Sequence, residues 1–172
     1  MSDFVRINVD DKQLQVAFER LESSVLDMTP AMRKIAATLE AVVEENFEAE
    51  GRPRWKPSQR AQAEGGMTLQ KTGRLASSVT TDYNASTVVI GSNVAYARIH
   101  QLGGKTKPHV IRPKAKQALA FGGHVVKSVN HPGSEIPARP FLPVTSDGDL
   151  QPEASEAVLG TILRHLKTAA GI

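Results

Sequence analysis

The chain has 172 residues, is 40% hydrophobic and 5% aromatic, and carries a net charge of +3 with no cysteine. That length fits one domain, residues 1–172, with a modest core built on Leu, Val, Ile and Ala. The missing cysteine removes disulfides, thiol catalysis and cysteine-ligated zinc together. No apolar run reaches membrane-spanning length, and Met1-Ser2-Asp3-Phe4 lacks the regions of a signal peptide, so a protein made and used in a reducing cytoplasm is expected.

Val5, Ile7 and Val9 alternate with Arg6 and Asn8 as in a strand. Asp10 is placed to cap a following helix, with Gln13 three residues on. Leu14, Ala17, Phe18, Leu21, Val25 and Met28 then recur at helical spacing. Thr29-Pro30 restarts the chain, Thr29 as N-cap and Pro30 at the first helical position. Met32, Ile35, Leu39, Val42 and Phe47 make a second stripe, ended by Gly51 and Pro53; such a helix of about twenty residues runs roughly 30 Å.

Gly51 to Met67 is a loop rich in Gly, Pro, Gln and Arg, with Trp55 alone in it. An indole there plugs a hydrophobic surface, of its own domain or of a neighbour. Leu69 to Leu75 reads as a short helix or turn. Ser77–Tyr83 and Thr87–Gly91 read as a hairpin around Asn84-Ala85-Ser86. Asn93 is placed to cap a helix Val94–Leu102 that Gly103 stops. A second hairpin runs from Gln117 to Val129 around Gly122-Gly123. Pro152 starts a last helix with Val158, Leu159, Ile162, Leu163 and Leu166 as its stripe. The order predicts an α+β fold: N-terminal helices on a small, mostly antiparallel sheet, an extended β-hairpin arm at about 105–135, and a C-terminal helix.

Charge is unevenly placed. Residues 105–139 hold seven bases (Lys105, Lys107, Arg112, Lys114, Lys116, Lys127, Arg139) against one acid, Glu135, a balance of +6. The rest of the chain has fourteen bases and seventeen acids, a balance of −3. Either this segment is a solvated positive loop or it meets something acidic. Phe121 is its only ring, which argues against base stacking. Sequence-independent attraction to duplex phosphates or to an acidic protein patch suits it better.

No catalytic pattern accompanies it. His100, His109, His124 and His131 lack the i, i+4 spacing of a zinc hydrolase. There is no Gly-x-Ser-x-Gly elbow and no phosphate-binding loop. The pairs Glu44-Glu45 and Asp10-Asp11 are sequence neighbours, which do not face each other on a helix. Neither an enzyme nor a cofactor is expected.

Three motif blocks remain. They are Phe47-Glu48-Ala49-Glu50-Gly51-Arg52-Pro53-Arg54-Trp55, Tyr96-Ala97-Arg98-Ile99-His100-Gln101-Leu102-Gly103 and Pro137-Ala138-Arg139-Pro140-Phe141-Leu142. With Thr72-Gly73-Arg74-Leu75 between the first two, they occur in the order seen in the virion morphogenesis (tail-completion) family of tailed bacteriophages. The chain resembles the Mu-like branch of that family from about Met32 to Val144.

The resemblance implies a non-enzymatic structural protein of the virion, assembled in the host cytoplasm. It would form a homo-oligomeric ring, of six copies, at the head–tail joint. There it would complete the tail and join it to the head around the DNA channel. The implied partners are further copies of itself, other neck or connector proteins, tail tube or tail terminator proteins, and packaged double-stranded DNA. The residues expected at an interface or channel are Trp55, Lys105, Lys107, Arg112, Lys114, Lys116, Lys127 and Arg139. Arg139, between Pro137 and Pro140, is either a rigidly presented cation or a donor to carbonyls of its own fold.

Overall fold

A computed structural model describes residues 11–114 and 117–172. The expected strand at Val5–Val9 and cap at Asp10 lie outside the described residues, as does Lys116. The fold is α+β, with two long N-terminal helices, short antiparallel ladders and a long C-terminal helix.

The first helix, α1 (Lys12–Leu26), buries none of its residues. Ala17, Leu21 and Met28, just past its end, are half-buried, whereas Leu14, Phe18 and Val25 stay exposed. One helix lying on one neighbour hides a narrow stripe, and α1 rests mainly on the C-terminal helix α5 (Pro152–Ala170).

The second helix, α2 (Thr29–Glu48), is the centre of the fold. Its buried residues Ala31, Ile35, Ala36, Leu39, Val42, Val43 and Phe47 face α5 on one side and a β-hairpin on the other. Thr38 and the buried Thr161 of α5 meet through their hydroxyls at 2.9 Å. The helix begins one residue earlier than expected, at Thr29 itself, because the Asp27 carboxylate accepts from the Thr29 amide at 3.0 Å.

A loop carrying the short helix α3 (Gln59–Glu64) follows, then a 3₁₀ turn at Ala76–Ser78. β1 (Val79–Tyr83) and β2 (Val88–Ser92) pair antiparallel with Thr81 opposite Ile90. Their loop has four residues instead of three, because the Asn84 side chain accepts from the amides of both Ser86 and Thr87 and so organises a longer turn. The helix expected from Val94 starts at Ala97 and ends at Leu102 as α4; Ser92 and a turn at Val94 precede it.

Six short strands come next: β3 (Gly104–Lys105), β4 (His109–Ile111), β5 (Leu119–Phe121), β6 (His124–Val126), β7 (Val129–His131) and β8 (Glu135–Ile136). Among the described residues the strands form four separate two-stranded antiparallel ladders: β1–β2, β3–β8, β4–β7 and β5–β6. The aromatic core lies where α2 ends. Val43, Phe47, Trp55, Leu75, Ala97 and Phe141 pack together there, with Phe141 fully buried.

Candidate functional site: an arm and the motifs that root it

Three ladders share one ribbon. From Gly104 the chain runs through β3, β4 and β5 to the Gly122-Gly123 turn and returns through β6, β7 and β8. None of its described residues is buried, and β4 is exposed along its length. This is the expected hairpin arm, longer at its base than residues 117–129, and it starts from the core at α4.

Specific contacts hold the arm's base. Thr106 N donates to Ser134 O at 2.9 Å, and Ser134 N donates to Thr106 Oγ1 at 2.7 Å. The His109 and His131 rings stack across β4–β7 with centroids 5.1 Å apart. Gly133 N donates to His131 Nδ1, so that nitrogen is the unprotonated one. Gly133 sits at φ +91°, where a Cβ would run into the Thr106 carbonyl. Gly133→Ala therefore places a strained residue against backbone, at a cost of about 1–3 kcal/mol. The β4 and β7 amides should exchange hydrogen faster in that variant while the core melts normally. Unchanged exchange would contradict the close approach.

Charge follows this geometry. Lys105, Lys107, Arg112, Lys114 and Lys127 are all exposed on the arm. Glu135, opposite Lys105 in the β3–β8 ladder, is the arm's one acid, and none occurs from Thr106 to Ser134.

Arg139 and Trp55 are placed differently. Arg139 is only 6% exposed, and its Nε donates to Lys56 O at 2.8 Å. Its own amide donates to His100 O at 2.7 Å. Of the two readings of this arginine, donor to its own fold is the one the geometry realises. Burial lowers its pKa from the ordinary arginine value, yet an arginine remains charged in a protein. Trp55 is 4% exposed within its own core, and its Nε1 donates to Pro140 O at 3.0 Å.

The three motif blocks thus meet at the arm's root. Gln101 of α4 accepts from the amides of Phe141 and Leu142, both at 2.9 Å. That pins the Pro137–Leu142 segment alongside the helix from which the outgoing leg departs. Sequence reading passed over Asn46, which is fully buried. It donates to Gln151 Oε1 at 3.1 Å and Phe141 O at 3.3 Å, and accepts from Arg52 Nε at 2.9 Å. The available signal was its position one residue before Phe47, on the buried side of α2.

His100 lies at the root, half-buried on α4. Its Nδ1 is buried and has no hydrogen bond to the described residues. Burial, and then the nearby Arg139 guanidinium, lower its pKa from the ordinary 6.5. The unfolded chain then binds the proton more readily, so stability contributed by neutral His100 falls as pH drops below about 6.5. Melting temperature should decline across that range before the carboxylates titrate. His100→Asn should flatten the decline, and an identical slope in both proteins would refute it.

Among the described residues no three His, Asp or Glu side chains group to hold a metal ion. Among the described residues no helix is long and apolar enough to cross a membrane. The sequence profile of the phage virion morphogenesis family matches residues 9–167. The chain is 37% identical over 142 residues to the Mu-like prophage FluMu G protein 2 of Haemophilus influenzae, covering 82% of this chain and 85% of that one. It is 34% identical over 135 residues to protein G of Escherichia phage Mu, named as a candidate capsid assembly protein, covering 72% of this chain and 85% of that one. No solved structure matches.

Proposed function

We propose that this chain, which belongs to the phage virion morphogenesis family in its Mu-like branch, is a non-enzymatic ring protein of the head–tail joint. Its role in phage particle assembly is that of the family; the ring, its six copies and its place between head and tail are this reading. The observation that carries it is the division of the molecule. A small core carries an arm none of whose described residues is buried. Such an arm gives a subunit two unlike contact surfaces, and unlike surfaces generate rings when the rotation closes. Neck, connector and tail tube or terminator proteins are its proposed neighbours, with packaged DNA through the middle.

Deleting the gene from an inducible prophage should leave filled heads and finished tubes that do not join, visible in negative-stain micrographs. Normal infectious particles would sink the reading. Absent or aberrant heads would favour a second one, a capsid assembly role, which the name of the phage Mu relative supports. A third reading, a basic accessory protein that binds DNA without sequence preference, is favoured only by the arm's excess of cations over its one acid. It requires salt-sensitive duplex binding by the purified chain.

A further inference from the structure

An open groove of about 420 Å³ runs between α2 and the 3₁₀ turn leading into β1. Its apolar lining comes from Val43, Phe47, Ala76 and Val79, with Gln70 and Ser77 beside them. Its wall carries Glu40, Glu44 and Glu48, one turn apart on a single face of α2. The two ion pairs among the described residues, Arg52–Glu45 and Arg54–Glu50, use neither this face nor these carboxylates. Glu40 accepts from the Thr81 hydroxyl, whereas Glu44 and Glu48 stand exposed with like charge beside like charge.

The arm has the opposite character. It carries Lys107, Arg112, Lys114 and Lys127 with no acid between Thr106 and Ser134. Among those cations it exposes apolar side chains: Val125 is 72% exposed and Val110 50%. Duplex phosphates would use the cations and leave the valines wet. A groove that offers apolar side chains beside a carboxylate wall uses both. A two-stranded ribbon is also marginal in water by itself, so a seat on another molecule stabilises it.

We propose that the arm of one copy docks in the α2 groove of the next copy of this chain. The contact is heterologous, arm to groove, and its repetition closes the ring. The inference rests on the ring reading and assigns the two surfaces that make it. The arm's basic charge is then used within the ring and not on the DNA.

Charge exchange in the purified full-length chain tests this, read by analytical ultracentrifugation and native mass spectrometry. Glu44→Lys with Glu48→Lys reverses the groove; Lys114→Glu with Lys127→Glu reverses the arm. All four residues are exposed, so folding should survive, and circular dichroism checks it. Each double variant should raise the concentration needed for assembly by about tenfold or more, as like charges meet. Mixing the two variants should restore rings with alternating subunits, and so should one chain carrying all four changes.

A second readout needs no charge argument. The natural chain has no cysteine, so Val125→Cys with Ser77→Cys at the groove's lip should give a ladder of disulfide-linked multimers. Rings that persist in every charge variant, without that ladder, would overturn the docking and leave the ring reading standing. Loss of assembly that neither mixing nor combination restores would also overturn it. So would loss of duplex binding with rings intact, which would give the arm to DNA. A wild-type chain that stays monomeric at every concentration and gives no ladder would overturn the ring reading, and the docking with it.

Discussion

Trp55→Ala should destabilise the domain by about 3–5 kcal/mol, the usual cost of removing a large aromatic from a core. The indole is 4% exposed and meets Phe47 edge-on with ring centroids 5.6 Å apart; Phe47 in turn lies 5.6 Å from Phe141. Truncation opens a cavity among these rings and strips the Pro140 carbonyl of its donor. Gly51 lies beneath the indole, where any side chain would collide with it, so the backbone there is shaped around the tryptophan. A small domain has only about 5–15 kcal/mol to lose. Trp55→Phe separates the two losses: it keeps most of the volume but not the hydrogen bond, which is worth about 1 kcal/mol. Urea denaturation followed by circular dichroism measures both, since the chain's single tryptophan is the residue removed. A wild-type midpoint for Trp55→Ala would show that the ring is not part of the core.

Asn46→Leu should cost a comparable amount, about 3 kcal/mol or more, because it leaves two buried acceptors and one half-buried donor without this partner, at about 1–3 kcal/mol for each buried group. Arg52 Nε, Gln151 Oε1 and Phe141 O would each lose the atom they now face. The same arginine also holds Glu45 at 2.7 Å and the Val42 carbonyl at 3.0 Å, and Gln151 donates to Arg52 O at 3.1 Å. One amide thus ties together the end of α2, the loop that follows, the Pro140–Leu142 segment and the start of α5. A double-mutant cycle between Asn46→Ala and Gln151→Ala should show strong coupling, since both belong to one network. Additive effects would mean that the two side chains act separately. The loss should reach the arm as well, because its root depends on the same segment.

Much of this architecture was legible along the chain. Helical spacing marked α1, α2 and α5, and Gly122-Gly123 marked the arm's tip at β5–β6. Element boundaries shifted where a side chain outside the repeating pattern accepted from nearby amides, as Asp27 does from Thr29 and Asn84 from Ser86. The arm's base was harder to see. β3–β8 and β4–β7 pair only two or three residues each, with the legs held by the Thr106–Ser134 bonds. Short ladders of that kind leave little alternation to read.

Local features follow from the order of residues alone: which stretches are helical, where the chain turns sharply, that there is no thiol, and that the cations gather between residues 105 and 139. These follow from periodicity, turn chemistry and composition, each read within a few neighbouring residues. The tertiary structure decided which way the polar side chains face. Arg139 meets the Lys56 carbonyl across 83 positions, and Asn46 meets Gln151 across 105. Glu40, Glu44 and Glu48 look like an ordinary solvated face until the turn before β1 stands opposite and makes a groove of them. A buried polar group must find a partner wherever the fold supplies one, and that partner's distance along the chain leaves no local mark.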